Sequence, residues 1–163
     1  MTLMDDKVLE TVRKYKASQL TDAQLLQQLK ALRYADLGFA KIDTARGSRQ
    51  GFPEVIYCAG KTAEQCAGIM EHMSRSCDNV LATRADDEVY TAISRRVGDV
   101  HYYKEARIVA LERSPLPKDN ERTIAVITAG TSDIPVAEEA AVTAAVMGNK
   151  VECIYDVGVA GIH

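Results

Sequence analysis

The sequence has no apolar run long enough to cross a membrane. Charged residues interrupt every hydrophobic stretch well before the roughly 20 consecutive apolar residues that a spanning helix needs. Its first ten residues, MTLMDDKVLE, are acidic, whereas a secretion signal begins with basic residues. We therefore expect an unprocessed cytoplasmic protein with no membrane partner.

An excess of basic charge is also missing. The chain has 20 Lys and Arg against 23 Asp and Glu, for a formal net charge of −3. Nucleic-acid-binding domains usually carry a clear surplus of Lys and Arg on one face, so the sequence predicts no nucleic-acid partner.

The cysteines form no CxxC pair. A chain of 163 residues can bury a core without disulfides or a metal, so we interpret the four cysteines as buried thiols. Cys66, His72 and Cys77 have the spacing C-x5-H-x4-C, which matches no common zinc site. The four cysteines are Cys58, Cys66, Cys77 and Cys153.

The first third of the chain has helical periodicity. Apolar residues recur at helical spacing up to about Tyr15, and Thr21 with Gln24 forms a capping box ahead of a leucine-rich second helix. Glycine, arginine and a Phe-Pro pair interrupt residues 42–55, which predicts a loop that leads to a short strand, residues 54–57.

Beyond that loop, β-branched runs alternate with segments of helical period. Thr62 and Gln65 form a second capping box, and residues 86–97 predict the next helix. This alternation predicts an α/β fold with a mostly parallel sheet and right-handed crossovers. The β-branched runs are EVIYC, NVLATR, ARIVAL, TIAVIT and KVECIY.

Residues 114–122 combine two prolines with charge and predict a linker. The linker would separate an N-terminal α/β region with a leading helical pair, residues 1–113, from residues 123–163. The second part contains one β-α-β unit: strand 123–128, a helix from about Pro135 to Met147, and strand 150–155. A lone unit cannot cover both faces of its sheet, so we expect a C-terminally truncated piece of a longer protein, or one that a partner completes.

The turn after the first strand of that unit is a candidate phosphate site. Gly130, Thr131, Ser132 and Asp133 lie between a strand and a helix, where free backbone N–H groups and hydroxyls can bind an anion at the carboxyl end of a parallel strand. Asp133 is suited to a ribose diol. The alternative is that Ser132 or Asp133 simply caps the helix. Neither GxxxxGK[ST] nor GxGxxG occurs in the chain.

Three further residues are candidates for the same site. His163 follows the next strand, so it would lie at the same sheet edge, where an imidazole can shuttle protons, although a lone histidine is more often solvated. Arg46 and Arg49 could clamp an anion through their guanidinium groups or could be ordinary surface residues.

The segments TAGTSDIPVAEEAAVTA and YDVGVAGIH resemble the PurE-like superfamily, whose founding enzymes rearrange carboxyaminoimidazole ribonucleotide. Its S-x-S-D element corresponds to residues 130–133 and its catalytic histidine to His163. A closer match covers most of the chain, including the part before the linker. Its segments RGSRQGFPEVIY and GKT resemble the LarB family, the carboxylase/hydrolase of nickel-pincer nucleotide cofactor synthesis. The resemblance implies that residues 123–163 begin a PurE-like three-layer parallel-sheet domain.

The LarB resemblance implies carboxylation of nicotinic acid adenine dinucleotide at C5 of the pyridinium ring. Cleavage of its phosphoanhydride would then give AMP and pyridinium-3,5-biscarboxylic acid mononucleotide. Carbon dioxide or bicarbonate would be the co-substrate, no tightly bound cofactor is expected, and metal dependence stays open. Thr131, Ser132 and Asp133 would hold phosphate and ribose, His163 would be a site residue, and PurE-like domains assemble as octamers.

The family's cysteine nucleophile and carboxylate base belong to the part of the domain that would follow residue 163. We therefore expect this chain by itself to be inactive or severely impaired. Two alternatives are a PurE-type mutase or carboxylase of purine synthesis and a non-catalytic nucleotide-binding fragment. A downstream Gly-x-Glu-Gly segment with a late cysteine would favour the pincer-cofactor enzyme.

Overall fold

The structure is a computed structural model that describes residues 3–31, 34–36, 38, 40–43 and 55–158. The chain forms two compact units, Met1–Glu54 and Val55–His163.

The first unit begins with the expected pair of helices, α1 (Leu3–Lys16) and α2 (Asp22–Ala31). The capping box ahead of α2 is present, since the N–H of Gln24 donates to Thr21 Oγ1 (3.3 Å) and the N–H of Thr21 donates to Gln24 Oε1 (2.9 Å). Among the described residues, no helix of the protein has the length and hydrophobicity needed to span a membrane.

Two short strands follow the helices. Strands β1 (Tyr34–Asp36) and β2 (Lys41–Asp43) pair antiparallel. Neither was expected, because three residues are too few to show the two-residue alternation that identifies a strand. Most of the predicted loop at 42–55 lies outside the described residues.

The second unit is built on a four-stranded sheet with the strand order β3-β4-β6-β5. Only β3 and β4 are parallel, whereas β6 runs antiparallel to both of its neighbours. The prediction of a mostly parallel sheet is therefore wrong for this sheet, because four residues connect β5 to β6 and so short a connection joins only antiparallel strands. The strands are β3 (Ile56–Tyr57), β4 (Asn79–Thr83), β5 (Val100–Tyr103) and β6 (Ile108–Glu112).

Two amphipathic helices pack against this sheet and against each other, α3 (Ala63–Met73) and α4 (Asp87–Arg96). Thr62 caps α3 in the predicted capping box, and the Asp86 carboxylate caps α4 by accepting from the N–H of Val89 (2.9 Å). Both helices thus begin where their local sequence predicts.

The core of the second unit has two sides. On one face of the sheet, Leu81, Ile108 and Ala110 form a buried cluster. Alternate residues point to the other face and are equally buried. These alternate residues are Val80, Ala82, Val109 and Leu111.

The predicted β-α-β unit is present. Strand β7 (Asp119–Ile127) lies parallel to β8 (Asn149–Ile154), and helix α5 (Ile134–Val146) connects them. Strand β7 begins four residues before the expected start, inside the segment predicted as a linker, because the N–H of Asp119 donates to the carbonyl of Gly148 (2.8 Å). An irregularity in the register between Asp119 and Thr123 accommodates the extra residues.

Helix α5 contacts both sheets of the second unit. Val142 and Val146 pack against the Leu81 cluster of the four-stranded sheet, and α5 also contacts β7 and β8. Among the described residues, the other face of the two-stranded sheet is open, since the paired residues Ile127 and Ile154 are 60% and 40% exposed. A single β-α-β unit was expected to leave such a face uncovered. The division of the chain into domains at 114–122 stays a prediction.

Candidate functional site

The turn after β7 is held by Asp133. Residues Thr131–Asp133 form one turn of 3-10 helix between Gly130 and α5. The N–H of Gly130 donates to Asp133 Oδ2 (3.3 Å), and the N–H of Asp133 donates back to the carbonyl of Gly130 (3.1 Å). Asp133 makes no side-chain hydrogen bond to α5, so its carboxylate closes the turn rather than capping the long helix.

Thr131 and Ser132 are exposed at the start of this turn. The first N–H groups of a helical turn have no partner within it, and within the described residues neither hydroxyl takes part in a hydrogen bond. A methyl group on Gly130 would lie 3.9 Å from both Ser132 Oγ and Asp133 Oδ2, so these two polar groups flank the Gly130 backbone. The arrangement presents donors for an anion beside a carboxylate that can accept from a diol.

The loop after β8 is bonded to this turn. The N–H of Asp156 donates to Thr128 Oγ1 (3.2 Å), and the N–H of Val157 donates to the Thr128 carbonyl (3.0 Å). The N–H of Gly158 donates to the carbonyl of Ala129 (2.9 Å). The carboxyl ends of the two parallel strands therefore meet at one edge of the sheet, as the β-α-β pattern predicts.

A second connection ties the end of β8 to α5. The Tyr155 hydroxyl donates to Glu138 Oε1 (2.7 Å). The neighbouring Cys153 side chain and the Glu138 carboxylate raise the pKa of Tyr155, so its phenol is further from ionising than an ordinary tyrosine. Tyr155 therefore acts as a hydrogen-bond donor here.

The cysteines differ from one another in exposure. Cys58 and Cys66 are buried, as expected, and burial raises the pKa of both thiols. Cys77 is half-buried and Cys153 is exposed, so the interpretation of all four as buried thiols is wrong. Cys153 lies on β8, which pairs on one side only with β7 in the part of the chain that the structure describes.

No group of three or more His, Cys, Asp and Glu side chains suited to a metal ion occurs among the described residues. Three of the predicted site residues, Arg46, Arg49 and His163, lie outside those residues. Their expected roles stay predictions.

Sequence reasoning missed the part of the site formed by Thr128, Asp156 and Gly158. The Asp-Val-Gly triplet does indicate a turn after the strand. It carries no sign that the Asp156 N–H bonds a hydroxyl 28 positions earlier, because that contact depends on how β7 and β8 pair.

A comparison with known proteins finds a relative in Methanocaldococcus jannaschii, an uncharacterized protein that is 30% identical over 155 residues. The matched region covers 91% of this chain and 60% of the relative. The chain thus spans about three fifths of the length of the relative that it matches.

A family model described as the LarB/PurE-like N-terminal domain matches residues 34–113. These residues include the four-stranded sheet with helices α3 and α4 and stop just before the β-α-β unit. The match agrees with the resemblance seen in GFPEVIY and GKT, which fall inside it. Residues 34–113 are therefore similar to the N-terminal domain of the LarB/PurE-like family.

Proposed function

We propose that the protein acts in nickel-pincer cofactor synthesis, by carboxylating nicotinic acid adenine dinucleotide and hydrolysing its phosphoanhydride. The products would be AMP and pyridinium-3,5-biscarboxylic acid mononucleotide. The LarB/PurE-like match supports a carboxylase-type role. The observation that carries the more specific proposal is the pair of bonded turns at the carboxyl ends of β7 and β8, with exposed donors at Thr131 and Ser132.

In this proposal the described residues bind the nucleotide. The backbone N–H groups and hydroxyls of Thr131 and Ser132 donate to a phosphate, and the Asp133 carboxylate accepts from the ribose hydroxyls. The phosphate lies toward Thr131 and Ser132, because the carboxylates of Asp133 and Asp156 would repel an anion that came too close.

Three residues beyond the described part complete the proposal. His163 would move protons, and Arg46 and Arg49 would bind an anionic group. Carbon dioxide or bicarbonate would supply the added carboxyl group, and the protein would assemble as a homo-oligomer, an octamer by resemblance. No residue of this chain is assigned as the nucleophile or the base for the pyridinium ring, so binding is the appropriate test.

Calorimetric titration with nicotinic acid adenine dinucleotide tests this proposal, with aminoimidazole ribonucleotide as the competing ligand. We expect saturable binding of the dinucleotide. Gly130→Ala should weaken dinucleotide binding about tenfold, because the added methyl would occupy space beside Ser132 Oγ and Asp133 Oδ2 that the nucleotide is proposed to use. The methyl would clash with neither atom, so the fold should be unaffected. A tenfold loss corresponds to about 1.4 kcal/mol.

Gly98→Ala is the matched control, since an added methyl there meets nothing within 4 Å. Binding of the imidazole ribonucleotide alone would favour PurE-type chemistry instead. Unchanged affinity in a folded Gly130→Ala protein would place the nucleotide elsewhere, and absence of binding by either ligand would contradict a nucleotide site in these residues.

A further inference from the structure

Thr128 connects the two turns of the candidate site through both its side chain and its backbone. Its side chain accepts from the N–H of Asp156 and its carbonyl accepts from the N–H of Val157. Thr128 is only 7% exposed, so these bonds are largely shielded from water. Shielded bonds are the more costly ones to leave unmade.

The N–H of Asp156, which bonds to that hydroxyl, belongs to a residue with an unusual backbone conformation. Asp156 has φ +58°, a left-handed conformation that non-glycine residues adopt infrequently and at a cost in free energy. Its N–H donates to Thr128 Oγ1, a side-chain atom, whereas the neighbouring N–H groups of Val157 and Gly158 donate to backbone carbonyls. Replacing the side chain of residue 128 therefore directly removes only the bond to Asp156 among these three bonds.

Gly158 allows the close approach of the two turns. A Cβ atom at Gly158 would lie closer to the carbonyl oxygen of Ala129 than real Cβ contacts allow. The loop after β8 therefore fits against the turn after β7 because residue 158 has no side chain.

We propose that Thr128 is a positioning residue for the nucleotide site, which holds the loop Asp156–Gly158 against the turn that carries Thr131 and Ser132. This inference rests on the proposed function. It assigns Thr128 no contact with the ligand: the hydroxyl sets the distance between the two sides of the site, so that one nucleotide meets both.

The test compares Thr128→Val, which removes the hydroxyl and keeps the β-branched shape, with Thr128→Ser, which keeps the hydroxyl. Thr123→Val is the matched control, because Thr123 is an exposed residue of the same strand. Two quantities are measured in each variant: the hydrogen-exchange rate of the Asp156 amide by NMR, and the affinity for nicotinic acid adenine dinucleotide by calorimetry.

We expect Thr128→Val to speed hydrogen exchange of the Asp156 amide and to lower the affinity for the dinucleotide about fivefold. A change of this size corresponds to the net free energy of one typical hydrogen bond. Thr128→Ser should restore both values and Thr123→Val should change neither. If the loss of affinity came from general destabilisation, it would follow the unfolding temperature rather than the presence of the hydroxyl. Thermal unfolding of both Thr128 variants is therefore recorded alongside.

Two results would overturn the inference. One is unchanged exchange at Asp156 in Thr128→Val, and the other is faster exchange with unchanged dinucleotide affinity.

If the unsubstituted protein does not bind the dinucleotide, the proposed function fails. What then remains of the inference, that the Thr128 hydroxyl positions the turn with Thr131 and Ser132, is decided by whether the amide resonances of these two residues move in Thr128→Val and return in Thr128→Ser. If Thr128→Val does not fold, the hydrogen-exchange rate of the Asp156 amide in Thr128→Ser decides the inference. A rate above that of the unsubstituted protein, at equal stability, contradicts the inference.

Discussion

At the scale of single residues, Gly158 and Gly98 provide a clean contrast. A methyl on Gly158 would collide with the backbone oxygen of Ala129, which cannot move independently of the chain, whereas a methyl on Gly98 meets open space. We expect Gly158→Ala to lower the free energy of unfolding by roughly 1–3 kcal/mol, the usual range for overpacking. Chemical denaturation measures the difference.

Gly98→Ala is the control for this prediction and should leave the free energy of unfolding nearly unchanged. Equal stability of the two variants would show that the loop after β8 does not pack against Ala129 in solution.

The buried thiols of Cys58 and Cys66 predict a dependence of stability on pH. Burial raises the pKa of each thiol above its ordinary value of 9.0, so above about pH 9 the unfolded chain releases protons that the folded chain retains. The stabilisation is complete below that pH and is lost as pH rises, with a slope of up to about 1.4 kcal/mol per pH unit for each thiol. Urea unfolding from pH 7 to 10.5 measures the slope.

Cys58→Ala should make this slope shallower, because it removes one of the two buried thiols. If Cys58→Ala keeps the slope of the unsubstituted protein, the Cys58 thiol is accessible to water in the folded state.

At the scale of elements, the helix starts were predictable from short sequence windows. In the capping box of α3, the N–H of Gln65 donates to Thr62 Oγ1 (3.2 Å) and the N–H of Thr62 donates to Gln65 Oε1 (3.0 Å). Both partners lie three residues apart, so the information that specifies this cap is local.

Removal of that cap gives a prediction for α3. Thr62→Ala should lower the free energy of unfolding by about 1 kcal/mol, since the N–H of Gln65 loses its acceptor at the helix start. Thermal or urea unfolding measures it. Thr62→Ser retains a hydroxyl and should stay close to the unsubstituted protein; a serine variant as unstable as the alanine variant would contradict the capping role.

The strands were less predictable than the helices. The sequence predicts β3, β4, β6, β7 and β8 from their β-branched runs but misses β5 and the pair β1 and β2. Strand β5, with the sequence VHYY, has only one β-branched residue, although tyrosine also favours strands, and it pairs with β6. Such pairing is a property of the assembled sheet, so propensity alone is a poor guide to it.

At the scale of the whole second unit, α5 connects the two sheets. Val142 and Val146 of α5 pack against the cluster that contains Leu81 and Ile108. We expect Ile108→Ala, at a fully buried position, to lower the free energy of unfolding by roughly 2–5 kcal/mol. Because the cluster is shared, hydrogen exchange should rise in the amides of β4 and α5 together.

Ile108→Val, which removes a single methyl group, should have a smaller effect of roughly 0.5–1.5 kcal/mol and the same pattern. Faster exchange in β4 with α5 unaffected would instead show two independent domains, joined by a linker at residues 114–122.

The sequence by itself determined the features that depend on neighbours within a few positions. These are the capping boxes of α2 and α3, the order of helices and strands in the β-α-β unit, the turn at residues 130–133, and the segments that match the LarB/PurE-like N-terminal domain. Each depends on interactions between residues that are close along the chain.

Only the tertiary structure decided the antiparallel pairings of β6, the exposure of Cys153 and the hydrogen bond between Thr128 and Asp156. These features join or separate residues that are distant in sequence, and many sequences with the same local pattern could place them differently. They are settled when the strands choose their partners, because pairing brings together backbone and side-chain groups that no local pattern relates.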